Sequence, residues 1–153
     1  MYRRIMGVVL GVAVIAVLAS GCGGGDSTDT VTKAEFVEQG KEICAKRKKD
    51  WTAALASYEK KVVEEKATQD SEVQEEIATG ILKEKMVPAM EVQLQEFEDL
   101  GTVEGSEKQS EKMLKTLSVA VAELENKGIG GLRESKYTTF EEEAKELGLT
   151  CPI

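Results

Sequence analysis

The side chains with the most distinctive chemistry in this sequence are its three cysteines, Cys22, Cys44 and Cys151. A thiol can be acylated, oxidised to a disulfide, bound to a metal or used as a nucleophile. The sequence contains no histidine, which excludes Ser–His and Cys–His nucleophile pairs and every metal site that includes histidine. The cysteines form no Cys-x-x-Cys pair either. We therefore expect no catalytic residue, no metal and no cofactor, and we expect anchoring or structural roles for the cysteines.

Cys22 follows a segment with the features of an export signal. Two arginines precede an uncharged apolar stretch over residues 5–20, which is shorter than the ~20 apolar residues of a spanning helix. The stretch ends in Leu-Ala-Ser-Gly-Cys, and small residues before a cysteine resemble the bacterial lipobox, in which the cysteine is acylated and the chain is cut before it. The alternatives are an ordinary secretory signal and an uncleaved anchor. We expect residues 1–21 to be a lipoprotein signal peptide and lipid on Cys22 to anchor the protein at the extracytoplasmic face of the cell membrane.

The residues after the signal divide into a tether and a domain. Residues 22–31 consist mainly of glycine, serine, threonine and aspartate, a composition typical of a flexible tether. Residues 32–153 are rich in charged and apolar residues and are long enough for one domain. The full sequence has 28 acidic and 20 basic residues and a formal net charge of −8. That charge argues against a nucleic-acid partner, which requires a basic face for the phosphates.

Apolar residues at intervals of three, four or seven predict that the domain is helical. Thr32 and Glu35 have the spacing of a capping box, which predicts a first helix over residues 33–67. Its apolar stripe consists of Phe36, Gly40, Ile43, Cys44, Trp51, Leu55, Tyr58 and Val62. A second stripe over residues 73–100 is interrupted at Pro88 but resumes in phase. This favours one kinked helix over two separate helices.

The rest of the sequence adds two helices. Capping-box spacing predicts one helix after Ser106, with Gln109 as the box partner, and a short last helix near Thr139, with Glu142 as the partner. Gly148 is placed to end the last helix in the left-handed conformation. No segment shows the sustained alternation of a strand. The predicted fold class is all-α, an irregular three-to-four-helix bundle.

Once lipid occupies Cys22, the domain retains two thiols, and two cysteines in an exported domain usually pair. Cys44 lies on the apolar stripe of the first helix, and Cys151 follows the last helix. A bridge between them would hold the C-terminal segment across the first helix. Because no histidine is present to lower a thiol pKa, a structural disulfide is favoured over a catalytic thiol. The predicted bundle is therefore closed by one disulfide, Cys44–Cys151.

Two motifs at the ends of the domain resemble a group of small exported actinobacterial lipoproteins. The first motif is Lys-Ala-Glu-Phe at residues 33–36, followed by Ile-Cys at residues 43–44. The second is Gly148-Leu149, shortly before Cys151. In that group a Lys-Ala-Glu-Phe opening leads to an Ile-Cys, and a Gly-Leu precedes a final cysteine. The resemblance implies a lipid anchor and a disulfide, and it implies no activity.

Trp51 and Tyr58 are the residues best suited to contact a small molecule. They lie seven residues apart in the first helix and therefore share a face, where together with Phe36 and Leu55 they could line an apolar pocket between helices. Such a stripe more often packs into the core.

Two charged clusters are interpreted as ordinary surface. The basic run over residues 46–49 spreads around the helix because consecutive residues point about 100° apart, so we expect solvated charge rather than attraction to anionic lipid or wall polymer. The glutamates at positions 134, 141–143 and 146 are interpreted as complements to the helix dipole rather than as a cation site.

These observations favour a non-catalytic interaction or structural module, anchored to the membrane through Cys22, with an unknown protein or cell-wall partner. The alternative is a small-ligand carrier with a cavity near Trp51. An interior filled by side chains would favour the module, whereas a deep apolar cavity with a few convergent polar groups would favour the carrier. The sequence leaves the oligomeric state open, because Val63, Val92 and Val119 could serve a third packing face or a second chain.

Overall fold

The computed structural model of the protein describes residues 30–133 and 136–151. The predicted signal peptide and Cys22 lie outside the described residues. The predicted all-α fold is confirmed. Its helices are α1 (Lys33–Glu64), α2 (Ser71–Ile81), α3 (Val87–Leu100), α4 (Glu107–Lys127), α5 (Ile129–Arg133) and α6 (Tyr137–Glu146). None of the helices in the described part of the chain is both long and apolar enough to span a membrane.

The N-terminus of α1 has the predicted capping box. The Thr32 hydroxyl accepts a hydrogen bond from the Glu35 N–H at 3.3 Å, and the Glu35 carboxylate accepts one from the Thr32 N–H at 3.0 Å. These bonds satisfy backbone donors that have no partner inside the helix. The helix ends at Glu64, earlier than predicted, and Lys66 adopts a left-handed φ of 54° in the turn that follows.

A π-helical segment, Leu82–Met86, joins α2 to α3 without a break in the helical path. The Val87 N–H donates to the carbonyl of Leu82, five residues back rather than four. Pro88 explains this widening, because proline has no N–H to donate and its ring clashes with the carbonyl four residues back in a regular α-helix. α2, the π segment and α3 therefore form one continuous helix with an interruption, as the apolar stripe over residues 73–100 predicts.

Two of the predicted capping boxes do not form. Ser106 precedes α4, but its side chain makes no cap hydrogen bond; the Glu107 carboxylate accepts from the Gly105 N–H instead, at 2.8 Å. The last helix begins at Tyr137, earlier than predicted, and its N-cap residue Lys136 makes no side-chain cap hydrogen bond. The predicted capping box of Thr139 and Glu142 is therefore wrong. The spacing of a capping box alone does not position the cap side chain.

The C-terminal end of α6 agrees with the prediction. Gly148 has a φ of 91° and donates its N–H to Lys145. The Leu149 N–H donates to the carbonyl of Ala144, which completes the Schellman motif. The conformation turns the chain back along α1.

A short parallel pair of strands lies beside the helices. β1 (Thr30–Val31) pairs with β2 (Thr102–Val103), which lies in the loop after α3. The Glu104 N–H also donates to the carbonyl of Val31 at 2.9 Å. Thr30 and Val31 were predicted to belong to the flexible tether over residues 22–31. In the structure they are hydrogen-bonded to the domain.

The buried apolar residues form two clusters. The larger one, the main core, packs Phe36 of α1, Phe97 of α3 and Phe140 of α6 against Met113 and Leu117 of α4. The ring centroid of Phe97 lies 6.1 Å from that of Phe36 and 6.0 Å from that of Phe140. The second cluster lies between α1, α2 and the π segment and is composed of Ala54, Ala67, Ile77, Ile81, Leu82 and Met86.

The C-terminal segment crosses α1 and is bonded to it by the predicted disulfide. Cys44 and Cys151 are joined, with their Cα atoms 5.0 Å apart. Leu149 packs onto Gly40, where a Cβ atom would lie 2.8 Å from a Leu149 methyl carbon. A larger residue at position 40 would therefore displace the segment, and the glycine in the apolar stripe is explained by this close approach.

Candidate functional site

The structure places Trp51 and Tyr58 in the wall of one pocket, between α1 and α2. The pocket has a volume of about 290 Å³. Its lining consists of Trp51, Ala54, Leu55, Tyr58, Ala78, Ile81, Leu82, Met86 and Ile129. Trp51 and Tyr58 line this cavity and also pack against the second cluster. Leu55 lines the cavity as well, whereas Phe36 lies in the main core, which is packed with side chains.

The pocket forms where small residues face each other across two helices. Ala54 of α1 and Ala78 of α2 both line it, and neither side chain reaches across the gap between the helices. The π segment supplies Leu82 and Met86, and α5 supplies Ile129. The lining is apolar apart from the indole N–H and the phenol hydroxyl. The pocket can thus bury an apolar ligand at a gain of about 25 cal/mol per Å².

The hydroxyl of Tyr58 marks one end of the pocket. It lies 3.4 Å from the side-chain oxygen of Gln74, and the Gln74 amide in turn donates to the carbonyl of Ala67 at 2.7 Å. Tyr58 and Trp51 are both half-buried. The two aromatic side chains are therefore held by α2 on one side and remain open to a ligand on the other.

Arg47 lies one helical turn before Trp51 and is buried, with 6% of the residue exposed. Its guanidinium carbon is 5.7 Å from the Trp51 ring centroid and 5.6 Å from that of Tyr137. One of its terminal nitrogens lies 3.7 Å from the sulfur of Met86. Because Trp51 and Met86 both line the pocket, Arg47 lies directly behind the pocket wall, where the second cluster meets the main core.

The interpretation of residues 46–49 as solvated charge is wrong for Arg47. Lys46 pairs with Glu96, and Lys48 and Lys49 are exposed. Arg47 follows Ile43 by four residues and precedes Trp51 by four, so it lies on the apolar stripe of α1. This spacing indicates a buried position, although the lysines on either side of Arg47 favour an exposed one.

No carboxylate of the described residues forms an ion pair with Arg47. The Nε of Arg47 is buried and lacks a hydrogen-bond partner in the described part of the chain. Gln93, 2% exposed, lies close enough to Tyr137 to influence its pKa. Burial lowers the pKa of Arg47 and raises the pKa of Tyr137, because it disfavours the charged form of each. Arg47 keeps its positive charge at neutral pH, because a guanidinium is not deprotonated in proteins.

The predicted glutamate cluster contains one buried member. Glu143 pairs with Lys112 at 3.1 Å, and its second carboxylate oxygen has no partner in the described residues. Within residues 30–133 and 136–151, no three cysteine, aspartate or glutamate side chains converge as metal ligands would. Glu134 lies outside the described residues.

Comparison with protein-family models, with curated proteins and with solved structures finds no match for this chain.

Proposed function

We propose that this protein is a membrane-anchored, extracytoplasmic module that binds an apolar small molecule in the pocket beside Trp51. The observation that carries the proposal is the apolar cavity between α1 and α2. Its volume of about 290 Å³ is near the lower end of the ~300–1,000 Å³ typical of small-molecule sites. Of the two functions expected from the sequence, the cavity favours the carrier.

The position of the anchor agrees with such a role. The lipobox-like segment before Cys22 supports attachment to the membrane, and the Cys44–Cys151 disulfide supports an oxidising compartment. A binding module on the outer face of the membrane has direct access to apolar molecules that dissolve in lipid. No group identified in the pocket performs acid–base or nucleophilic chemistry, so we propose binding without catalysis.

A bulky side chain in the pocket should block binding. Trp51 is the only tryptophan of the sequence, so its fluorescence reports ligand binding in the full chain reconstituted into phosphatidylcholine vesicles. We expect decanol to change the Trp51 emission in a saturable manner. Ala78→Phe places a ring in the cavity and should weaken decanol binding at least about tenfold, which corresponds to about 1.4 kcal/mol.

The matched control is Ala56→Phe, which adds the same ring to an exposed position of α1. It should leave decanol binding within about twofold of the unmodified protein. Equal binding by Ala78→Phe and the unmodified protein, with both folded, would show that the pocket is not the binding site.

Lipidation at Cys22 is tested separately. Cys22→Ala should abolish incorporation of a radiolabelled fatty acid in cells and should leave the precursor uncut at this site, because the acylated thiol is missing. Cys44→Ala, which leaves Cys22 intact, should incorporate label as the unmodified protein does. Undiminished label in the Cys22→Ala protein would contradict the lipid anchor.

A non-catalytic interaction module is the alternative function. Leu55 lines the pocket and is 48% exposed, so it offers apolar surface at the rim as well as inside. An apolar side chain of a protein partner could occupy the same space. The alternative is favoured if decanol does not bind and the folded protein still carries lipid.

A further inference from the structure

We propose that Arg47 recognises the charged end of the ligand, so that the pocket accepts an apolar chain that ends in a carboxylate. This inference rests on the proposed function and specifies its ligand class. It starts from a cation that is buried beside an apolar cavity and that forms no ion pair with a carboxylate of the described residues.

Within residues 30–133 and 136–151, Arg47 forms no ion pair. The ion pairs seen there include Lys46–Glu96, Lys60–Glu64 and Lys112–Glu143, which all involve other residues. Asp50 is the carboxylate that raises the pKa of Arg47, but it is exposed and forms no ion pair with the guanidinium. Removing a cation from water is costly unless an opposite charge and hydrogen bonds compensate for it.

The neighbours that Arg47 does have compensate only in part. The rings of Trp51 and Tyr137 attract the cation through their π faces. The sulfur of Met86 is a weak acceptor. The buried Nε–H donor has no partner among the residues that the structure describes. This leaves an unused edge of the guanidinium, and a carboxylate can accept two parallel hydrogen bonds from such an edge.

Met86 separates the guanidinium from the cavity. Its side chain lines the pocket and contacts Arg47 at the same time. A methionine side chain is unbranched and flexible, so it can rotate aside. A ligand carboxylate that replaces the sulfur would exchange a weak acceptor for an anionic one.

The dimensions of the site limit the apolar part of the ligand. Trp51 and Tyr58 are seven residues apart, and at 1.5 Å per residue the wall of α1 between them extends about 10 Å. Arg47 lies one turn beyond the Trp51 end. The site therefore suits one medium-length alkyl or comparable apolar chain with a single terminal carboxylate, and decanoate is the probe with these properties.

The test compares decanoate with decanol on the full chain in phosphatidylcholine vesicles, at a pH that ionises decanoate. Trp51 fluorescence gives an apparent affinity for each molecule. In Arg47→Met, decanoate should bind at least about tenfold more weakly than it does to the unmodified protein, because the charged hydrogen bonds are lost. Decanol should change by less than about threefold. Partitioning of each molecule into the vesicles does not affect the comparison, because its apparent affinity is compared between two proteins in the same lipid.

Lys48→Met is the matched control. It removes one positive charge next to Arg47 in the sequence, but from an exposed side chain. If general attraction of the anion to the protein surface explained the difference, Lys48→Met would reduce decanoate binding as much as Arg47→Met does. That outcome would overturn the assignment of Arg47.

A second measurement needs only the unmodified protein and serves if Arg47→Met does not fold. The carboxyl-carbon NMR signal of labelled decanoate should titrate at a lower pH when it is bound to the protein than in vesicles alone, because the guanidinium stabilises the carboxylate. A pKa that is unchanged or raised on binding would overturn the inference. Equal losses for decanoate and decanol in Arg47→Met would overturn it as well and leave the pocket proposal intact, whereas binding of neither molecule would overturn the proposed function itself.

Discussion

Reduction of the Cys44–Cys151 disulfide is expected to lower the thermal midpoint of the domain by roughly 10 °C or more. The two cysteines are 107 residues apart, and closing a loop of about 100 residues restricts the unfolded chain by up to about 4–5 kcal/mol. Part of this gain is lost to residual order in the unfolded chain, so we expect a loss of about 3 kcal/mol. Circular dichroism of residues 30–153, which contain both apolar clusters, measures the midpoint with and without reductant.

Single substitutions separate the bridge from the side chains. Cys44→Ser, Cys151→Ser and the double substitution should destabilise the domain by similar amounts, because each one breaks the same bond. Reductant should have no further effect on any of them. Two titratable thiols in the native, exported protein would contradict the disulfide.

The same bond explains why the C-terminal segment stays in place. The segment turns at Gly148, packs Leu149 onto Gly40 and reaches Cys44 one turn further along α1. Without the bond, the segment keeps only the contacts of Leu149 and a few backbone hydrogen bonds. Reduction should therefore loosen this segment first, and the pocket on the other part of α1 should be the less affected region.

The helices could be predicted because their signals are local. The apolar stripe of α1, the capping box at Thr32 and the Schellman glycine Gly148 depend on residues within one or two turns of each other. The disulfide needed only one further premise, that the domain is exported. The short helix α5, by contrast, contains two glycines, and packing rather than intrinsic propensity stabilises it: Ile129 lies beside the second cluster.

The candidate site could be predicted only in part. Trp51 and Tyr58 are on one face by their spacing, which is a local property. The cavity depends on Ala54 and Ala78, two small residues of different helices that meet only after folding. The burial of Arg47 depends likewise on Tyr137, which is distant in the sequence. Neither the cavity nor the burial of Arg47 follows from the spacing of apolar residues. That spacing shows which face of one helix is buried, but not which residues of other helices pack against it.

Truncation of Phe97 is expected to destabilise the main core strongly. Phe97 is completely buried and contacts the rings of Phe36 and Phe140, so it joins α3 to both α1 and α6. Phe97→Ala removes this area and leaves a cavity, at an expected cost of about 3–5 kcal/mol. Urea denaturation of residues 30–153 should show a lower midpoint with an unchanged slope.

The amount lost depends on whether the neighbours of Phe97 can move into the cavity. Leu149 and the Phe97 ring lie side by side over Gly40, so Leu149 can shift into part of the space that the deleted ring leaves. This places the expected loss toward 3 kcal/mol, the lower part of the range of about 3–5 kcal/mol for such truncations. Val92→Ala, on the same helix at a position that is 58% exposed, should change stability by no more than about 0.5 kcal/mol. A loss below about 1 kcal/mol for Phe97→Ala would mean that α1, α3 and α6 do not meet at this residue.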